Sequence, residues 1–159
     1  MIIPFELNGR QVYIDANPGE RLVQILRRRF SLLDAKEGCL SGRCGSCTVL
    51  LDGKPVASCI VPVFLVRHGS VETLESFSKT EAYRDIKDGF AEAGVEMCGF
   101  CNAGKILHAH YLLEVHPRPT VEEIQACFTA SICRCTSMED LIEGVKKTAA
   151  IRRRRSNRA

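Results

Sequence analysis

Cysteine spacing constrains this chain more than any other feature. Eight of its nine cysteines fall into two sets: Cys39, Cys44, Cys47 and Cys59 with the spacing C-x4-C-x2-C-x11-C, and Cys98, Cys101, Cys133 and Cys135 with the spacing C-x2-C-x31-C-x-C. Thiols at this density serve disulfide frameworks, zinc sites or iron-sulfur clusters, and each demands that the fold bring distant sulfurs together. The first residues, Met1-Ile2-Ile3-Pro4-Phe5-Glu6, lack a basic segment followed by an apolar stretch and a small-residue cleavage site. The expectation is therefore a reducing cytoplasm with thiolates free to act as ligands. The best apolar run, Cys59 to Val66, is too short to span a bilayer, so no membrane partner is expected.

A chain of 159 residues can divide into two small units, each thin in core and in need of a staple such as a metal. Residues 1–76 read as strand-rich. Asn8-Gly9 and Asp52-Gly53 are turn pairs flanked by apolar-rich segments, predicting two hairpins, Ile2 to Leu7 with Gln11 to Asp15, and Thr48 to Leu51 with Val56 to Ser58. Between them, Leu22, Ile25, Leu26 and Phe30 share one helical face while Arg21, Gln24 and Arg28 face water. Residues 77–159 read as helical, with segments near 79–93, 103–115, 121–130 and 137–151, joined to the first half by a short linker near Glu75 to Lys79. Thr120 with Glu123 and Thr136 with Glu139 fit capping boxes, and His116-Pro117-Arg118-Pro119 breaks the second segment from the third. The predicted class is α+β, a small ferredoxin-like domain followed by a four-helix bundle.

Charge excludes one class of partner. The net charge of +3 is more than accounted for by Arg152, Arg153, Arg154, Arg155 and Arg158 near the end, so the body is not a basic nucleic-acid surface. That tail reads as a frayed solvated end or a docking contact to an acidic partner.

The first cysteine set reproduces the loop of plant-type [2Fe-2S] ferredoxins, with its fourth ligand downstream. Each iron of such a cluster takes two thiolates beside the bridging sulfides, so four cysteines complete it. Counting back from Asp52-Gly53 places Cys47 opposite Ser58, which returns Cys59 to the loop. Gly38, Gly42 and Gly45 let backbone N–H groups curl toward an anionic group, and Arg43 either adds charge or faces solvent. In the second set, Cys98 and Cys101 precede one helix and Cys133 and Cys135 another, with Asn102 and Thr136 as N-caps. Two helix N-termini would then face the thiolates. Zinc is the main competing ligand, although neither set makes the common pair of C-x2-C knuckles. Cys127, left over within the third helical segment, reads as a small buried apolar residue.

Gly38-Cys39-Leu40-Ser41-Gly42-Arg43-Cys44-Gly45-Ser46-Cys47-Thr48-Val49, Cys98-Gly99-Phe100-Cys101 and Cys133-Arg134-Cys135-Thr136 closely resemble the iron-sulfur small subunit of the xanthine oxidase family of molybdenum hydroxylases. The resemblance covers nearly the whole chain. It implies a plant-type ferredoxin-like (β-grasp) domain plus a C-terminal four-helix bundle, two [2Fe-2S] clusters, a molybdopterin-binding large subunit and an FAD-binding medium subunit, assembled as a dimer of heterotrimers. By the same resemblance Cys98, Cys101, Cys133 and Cys135 bind the molybdenum-proximal cluster, and Cys39, Cys44, Cys47 and Cys59 the flavin-proximal one. The chain would relay electrons and carry no substrate site of its own. Met97 stands where the family usually has Gln, Asn102-Ala103 where it has Thr-Pro, and Ser137 where it has Gly, which implies an altered cofactor-facing surface. A free-standing two-cluster ferredoxin and a zinc-stabilised interaction module are the alternatives. His108 and His110 fall within a helical segment without a catalytic partner and read as packed or exposed residues.

Overall fold

The computed structural model describes residues 1–157; Arg158 of the basic tail lies outside them. Strands β1 (Ile2–Leu7) and β2 (Arg10–Asp15) pair antiparallel across Asn8-Gly9, whose φ angles of 52° and 78° are the two positive values of a type I′ turn. Helix α1 (Leu22–Phe30) buries Leu22, Val23, Ile25 and Leu26 and ends at Ser31 in the left-handed region, with Arg27, Arg28 and Arg29 at its negative pole. Strands β3 (Thr48–Leu51) and β4 (Lys54–Ala57) form the second hairpin, with φ of 49° and 76° at Asp52 and Gly53.

Strand β5 (Ser70–Glu72) has no counterpart in the sequence reading, yet it occupies the middle of the sheet. The order is β2-β1-β5-β3-β4, with β5 parallel to β1 and antiparallel to β3. Three residues carry too little alternation to announce a strand, but Val71 is fully buried and closes the gap between the hairpins.

The expected linker is a packed element. Helix α2 (Leu74–Phe77) buries Leu74 and Phe77 in an apolar cluster with Ile86, Phe90, Leu107 and Phe128 of the helices that follow. Those are α3 (Glu81–Glu92), α4 (Asn102–Val115), α5 (Val121–Phe128) and α6 (Met138–Ser156). The same cluster contains Leu50 of β3, whereas its neighbour Val49 belongs to the cluster beneath α1 with Phe5, Leu26 and Val71. Successive strand residues face opposite sides. Strand β3 is therefore covered on both faces, and α4 packs directly against it.

Helix α6 continues to Ser156, past the expected end at residue 151, because its arginines are held by partners. Arg152 Nη1 lies 2.9 Å from Glu114 Oε1, and Arg155 Nη1 lies 2.7 Å from Asp85 Oδ2 and 3.3 Å from Glu81 Oε2. Burial pushes the Asp85 carboxyl pKa up, against the pull of Arg155 and Arg152. The described part of the tail thus clamps α6 to α3 and α4 and is not a frayed end.

Helices α3 and α6 meet at Gly89, where an added Cβ would lie 2.5 Å from the Thr148 backbone nitrogen and 2.7 Å from its Cα. Alanine would gain about 1 kcal/mol of helix propensity, but backbone atoms cannot yield at that separation. Gly89→Ala is expected to destabilise the protein by roughly 1–3 kcal/mol, measured as a lowered denaturation midpoint; an unchanged or raised midpoint would show that the helices do not approach so closely.

Candidate metal centres

The first cysteine loop leads into β3. Thr48 pairs with Ala57, and the next residue of each strand continues the register: Ser58 donates from its backbone N to the Cys47 carbonyl at 3.3 Å and from Oγ at 2.6 Å. Cys59 therefore returns beside Cys47, as the turn count requires. Both are buried, and burial pushes the Cys47 thiol pKa up to about 12. Cys39 has the opposite environment. It is exposed, and the backbone N–H groups of Ser41 and Arg43 donate to its sulfur at 3.4 and 3.3 Å. The Ser41 side chain, together with the backbone N–H groups of Ser41, Arg43 and Cys44, brings its pKa down to about 5. Arg43 thus acts through its backbone while its side chain is exposed. Cys44 Sγ lies 3.1 Å from Ser46 Oγ.

The second set occupies the approaches to α4 and α6, with the caps shifted from expectation by one residue. Cys101 is the N-cap of α4, and Asn102, the first helical residue, accepts from the Gly99 N–H at 3.3 Å through Oδ1. Ser137, not Thr136, caps α6 in a reciprocal box with Asp140. Thr136-x-x-Glu139 and Ser137-x-x-Asp140 both satisfy the pattern, so sequence alone could not choose. The shift frees the Thr136 hydroxyl, which accepts a 2.7 Å hydrogen bond from Nζ of Lys105. Lys105 is fully buried and also donates to the Glu96 carbonyl. The sequence reading missed both residues. The available signal was a lysine four residues after Cys101, flanked by the apolar positions Ala103, Ile106 and Leu107.

The second-set thiols influence one another's ionisation in two pairs. The Phe100 backbone N–H and then the Cys135 thiol lower the Cys98 pKa, while Cys135 is raised by the same contact. Burial pushes Cys101 up to about 11. At Cys133 burial opposes ionisation, but hydrogen bonds from the Cys101 thiol, the Cys135 N–H and Thr136, with the Lys105 charge, bring it down to about 7.

The two loops touch. The Ile132 N–H donates to the Cys44 carbonyl at 3.2 Å, and a Cβ on Gly104 would lie 2.6 Å from the Gly45 carbonyl oxygen. Among the described residues, no group of three or more His, Cys, Asp or Glu side chains is arranged as a metal-ion site. Cys59 lies beside Cys47 through the Ser58 hydrogen bonds, and in the second set Cys98 and Cys135, and Cys101 and Cys133, shift one another's pKa. N–H groups aimed at one thiol of the first set, and a buried cation bonded to both segments that carry the second, fit an anionic two-iron group in each loop system.

Residues 5–73 match the 2Fe-2S iron-sulfur cluster binding domain family, and residues 73–146 match the [2Fe-2S] binding domain family. The nicotinate dehydrogenase small FeS subunit of Eubacterium barkeri is 39% identical over 134 residues, covering 84% of this chain and 85% of that subunit. The chain belongs to the iron-sulfur subunits of the xanthine oxidase family of molybdenum hydroxylases. Within this family, xanthine dehydrogenase/oxidase of Rattus norvegicus is 32% identical over 156 residues, 91% of this chain but only 12% of that longer protein. The crystal structure of quinoline 2-oxidoreductase from Pseudomonas putida 86 contains a chain that superposes with a TM-score of 0.86 at 33% identity, covering 97% of this chain and 96% of that one. The molybdenum hydroxylase subunit described here accordingly has two 2Fe-2S-binding domains and serves electron transfer within an oxidoreductase.

The remaining candidates are structural. His108 Nδ1 lies 2.8 Å from the Gly104 carbonyl, and His110 packs against Phe77 with ring centroids 4.6 Å apart; burial lowers the pKa of both. Met97 packs against the helical core. Cys127 is half-buried, its thiol directed to the His108 carbonyl at 3.5 Å and pushed up to about 11 by burial. Cys127→Ser is expected to retain full iron content and both cluster signals, and Cys127 in the folded protein is expected to resist alkylation at neutral pH. Loss of one cluster signal on that substitution would make Cys127 a ligand.

Proposed function

We propose that Cys39, Cys44, Cys47 and Cys59 hold one [2Fe-2S] cluster and that Cys98, Cys101, Cys133 and Cys135 hold the other. The observation that carries this reading is the return of Cys59 beside Cys47 through the β3–β4 hairpin, in a loop that is itself bonded to the loop of the second set. Four cysteines in each set would supply two thiolates to each iron of a two-iron cluster. When bound, the clusters supply one-electron carriers between a molybdopterin centre and FAD on partner subunits. The residues of this chain set the conditions for that traffic. Ser41 and Arg43 N–H groups stabilise thiolate at the exposed end of the first loop. Burial of Cys47, Cys59 and Cys101 excludes water from the inner end of each set. The Ile132 N–H bonded to the Cys44 carbonyl fixes one loop against the other, holding the second, molybdenum-proximal set next to the first, flavin-proximal one.

The same reading extends to architecture and assembly. Residues 1–76 would be a ferredoxin-like β-grasp domain, and residues 77–159 a helical domain built on a four-helix bundle. Support comes from the two apolar clusters and from the change of element type after β5. A molybdopterin-binding large subunit and an FAD-binding medium subunit would complete a dimer of heterotrimers in the cytoplasm. Exposed apolar residues around the cysteine loops, Leu40 and Ile60 near the first, Phe100 and Ile132 near the second, suit such partners. No helix among the described residues is long and apolar enough to cross a membrane.

Protein purified with its native partners is expected to be red-brown, with about four iron and about four labile sulfide per copy of this chain. Colourless protein with stoichiometric zinc would end the reading, and a monomer recovered from the native source without a molybdopterin partner would end the assembly. Cys47→Ser is expected to abolish one cluster signal in the EPR spectrum and leave the other; retention of both, with incorporation of the substitution verified, refutes the first ligand set.

A further inference from the structure

Lys105 lies on α4 one turn beyond Cys101, with no solvent exposure. Burying an ammonium is costly unless acceptors and opposite charge surround it. Its Nζ donates to the Glu96 carbonyl and, at 2.7 Å, to Thr136 Oγ1, whose own hydroxyl donates to the Glu96 carbonyl at 2.9 Å. These acceptors take two of the three N–H donors and, being uncharged, leave the positive charge uncompensated. Glu96 lies two residues before Cys98, and Thr136 directly follows Cys135. The ammonium therefore ties together both segments that carry the second cysteine set. The charge thus sits where the approach to α4, with Cys98 and Cys101, meets the approach to α6, with Cys133 and Cys135. The first set has a different source of stabilisation, backbone N–H dipoles at the exposed Cys39.

We infer that Lys105 is the buried counter-charge of the second cluster and holds its reduction potential above the value the cysteines alone would give. The inference rests on the ligand reading above. Reduction adds one electron to a group that is already anionic, and a positive charge held in the low-dielectric interior stabilises the reduced form more than an exposed one can. The Nζ hydrogen bonds run to the segments of the second set, so the charge acts chiefly on the second cluster and the two centres are set apart in potential by one side chain.

The test is an EPR-monitored redox titration of the assembled holo-complex, with the first cluster's signal identified by the Cys47→Ser variant. Lys105→Gln removes the charge and retains donors toward Glu96 and Thr136. Lys105→Met removes both, while the Thr136 hydroxyl still donates to the Glu96 carbonyl, so no buried donor is orphaned and folding is protected. Lys105→Arg keeps the charge. Both neutral variants are expected to disfavour reduction of the second cluster about tenfold, equivalent to about 59 mV for a one-electron couple, with the first cluster unmoved. Lys105→Arg is expected to stay near the wild-type potential. Neutral variants with full iron content and wild-type potentials would overturn the inference, as would equal shifts at both clusters or in Lys105→Arg. If both neutral variants lose iron from the second cluster alone, the lysine is structural and the inference also fails. If instead Cys133→Ser leaves that cluster's signal intact, it is the ligand reading that is wrong.

Discussion

The close approach of Gly104 to the Gly45 carbonyl is the contact on which the arrangement of both centres depends. Gly45 lies inside the first cysteine loop, between Cys44 and Cys47, and Gly104 lies three residues after Cys101 on the first turn of α4. At the 2.6 Å separation a Cβ would create, no side chain can intervene. The helix start is seated directly on the loop backbone. The Ile132 to Cys44 hydrogen bond then brings the approach to α6 onto the same loop. Three segments far apart in sequence become one wall, and the helices have little freedom to reposition the second set relative to the first.

That wall could be built only because the sheet is covered on both faces. Val49 faces the cluster under α1, and Leu50 faces the helical cluster against α4. Strand β3 is thus the partition between two cores, and the loop immediately before it carries Cys39, Cys44 and Cys47. Packing α2 into the helical core adds a second rigid connection in place of the expected linker. Two small units, each thin in apolar residues, share a boundary and so lose less surface to water than either would alone.

The legible parts of the fold were those specified by local chemistry. Asn8-Gly9 and Asp52-Gly53 announce hairpins because few other pairs tolerate consecutive positive φ angles, and Thr120 with Glu123 announces a helix start because the box is built within four residues. The cysteine sets were legible because cluster ligation dictates residue type and spacing. What escaped depended on tertiary context. Strand β5 is held by neighbours on both sides, and α6 is extended by Asp85, Glu81 and Glu114 from other helices. Lys105 escaped because a lysine in a helix ordinarily faces water. Its burial becomes visible only when the Glu96 carbonyl and the Thr136 hydroxyl are seen to close over it, and the latter requires the cap to fall on Ser137.

These omissions share one physical origin. The burial of Lys105 makes sense beside anionic sulfur at the starts of α4 and α6, not as a property of an isolated residue. Without thiolate charge the ammonium would be desolvated against two neutral oxygens, and without the ammonium four ionised sulfurs would repel one another across the starts of α4 and α6. Each half raises the energy of the fold alone and lowers it in company. Loading an anionic cluster and closing the helical core around Lys105 are then linked processes, because ligand ionisation, metal binding and burial of the cation draw on the same free energy. The first loop has no such linkage. Its anionic end is met by backbone N–H groups of Ser41 and Arg43 that are available at the surface, while the β3–β4 hairpin supplies Cys59. The two centres therefore differ in the source of positive potential beside them, a buried side-chain charge at the second and backbone N–H groups at the first.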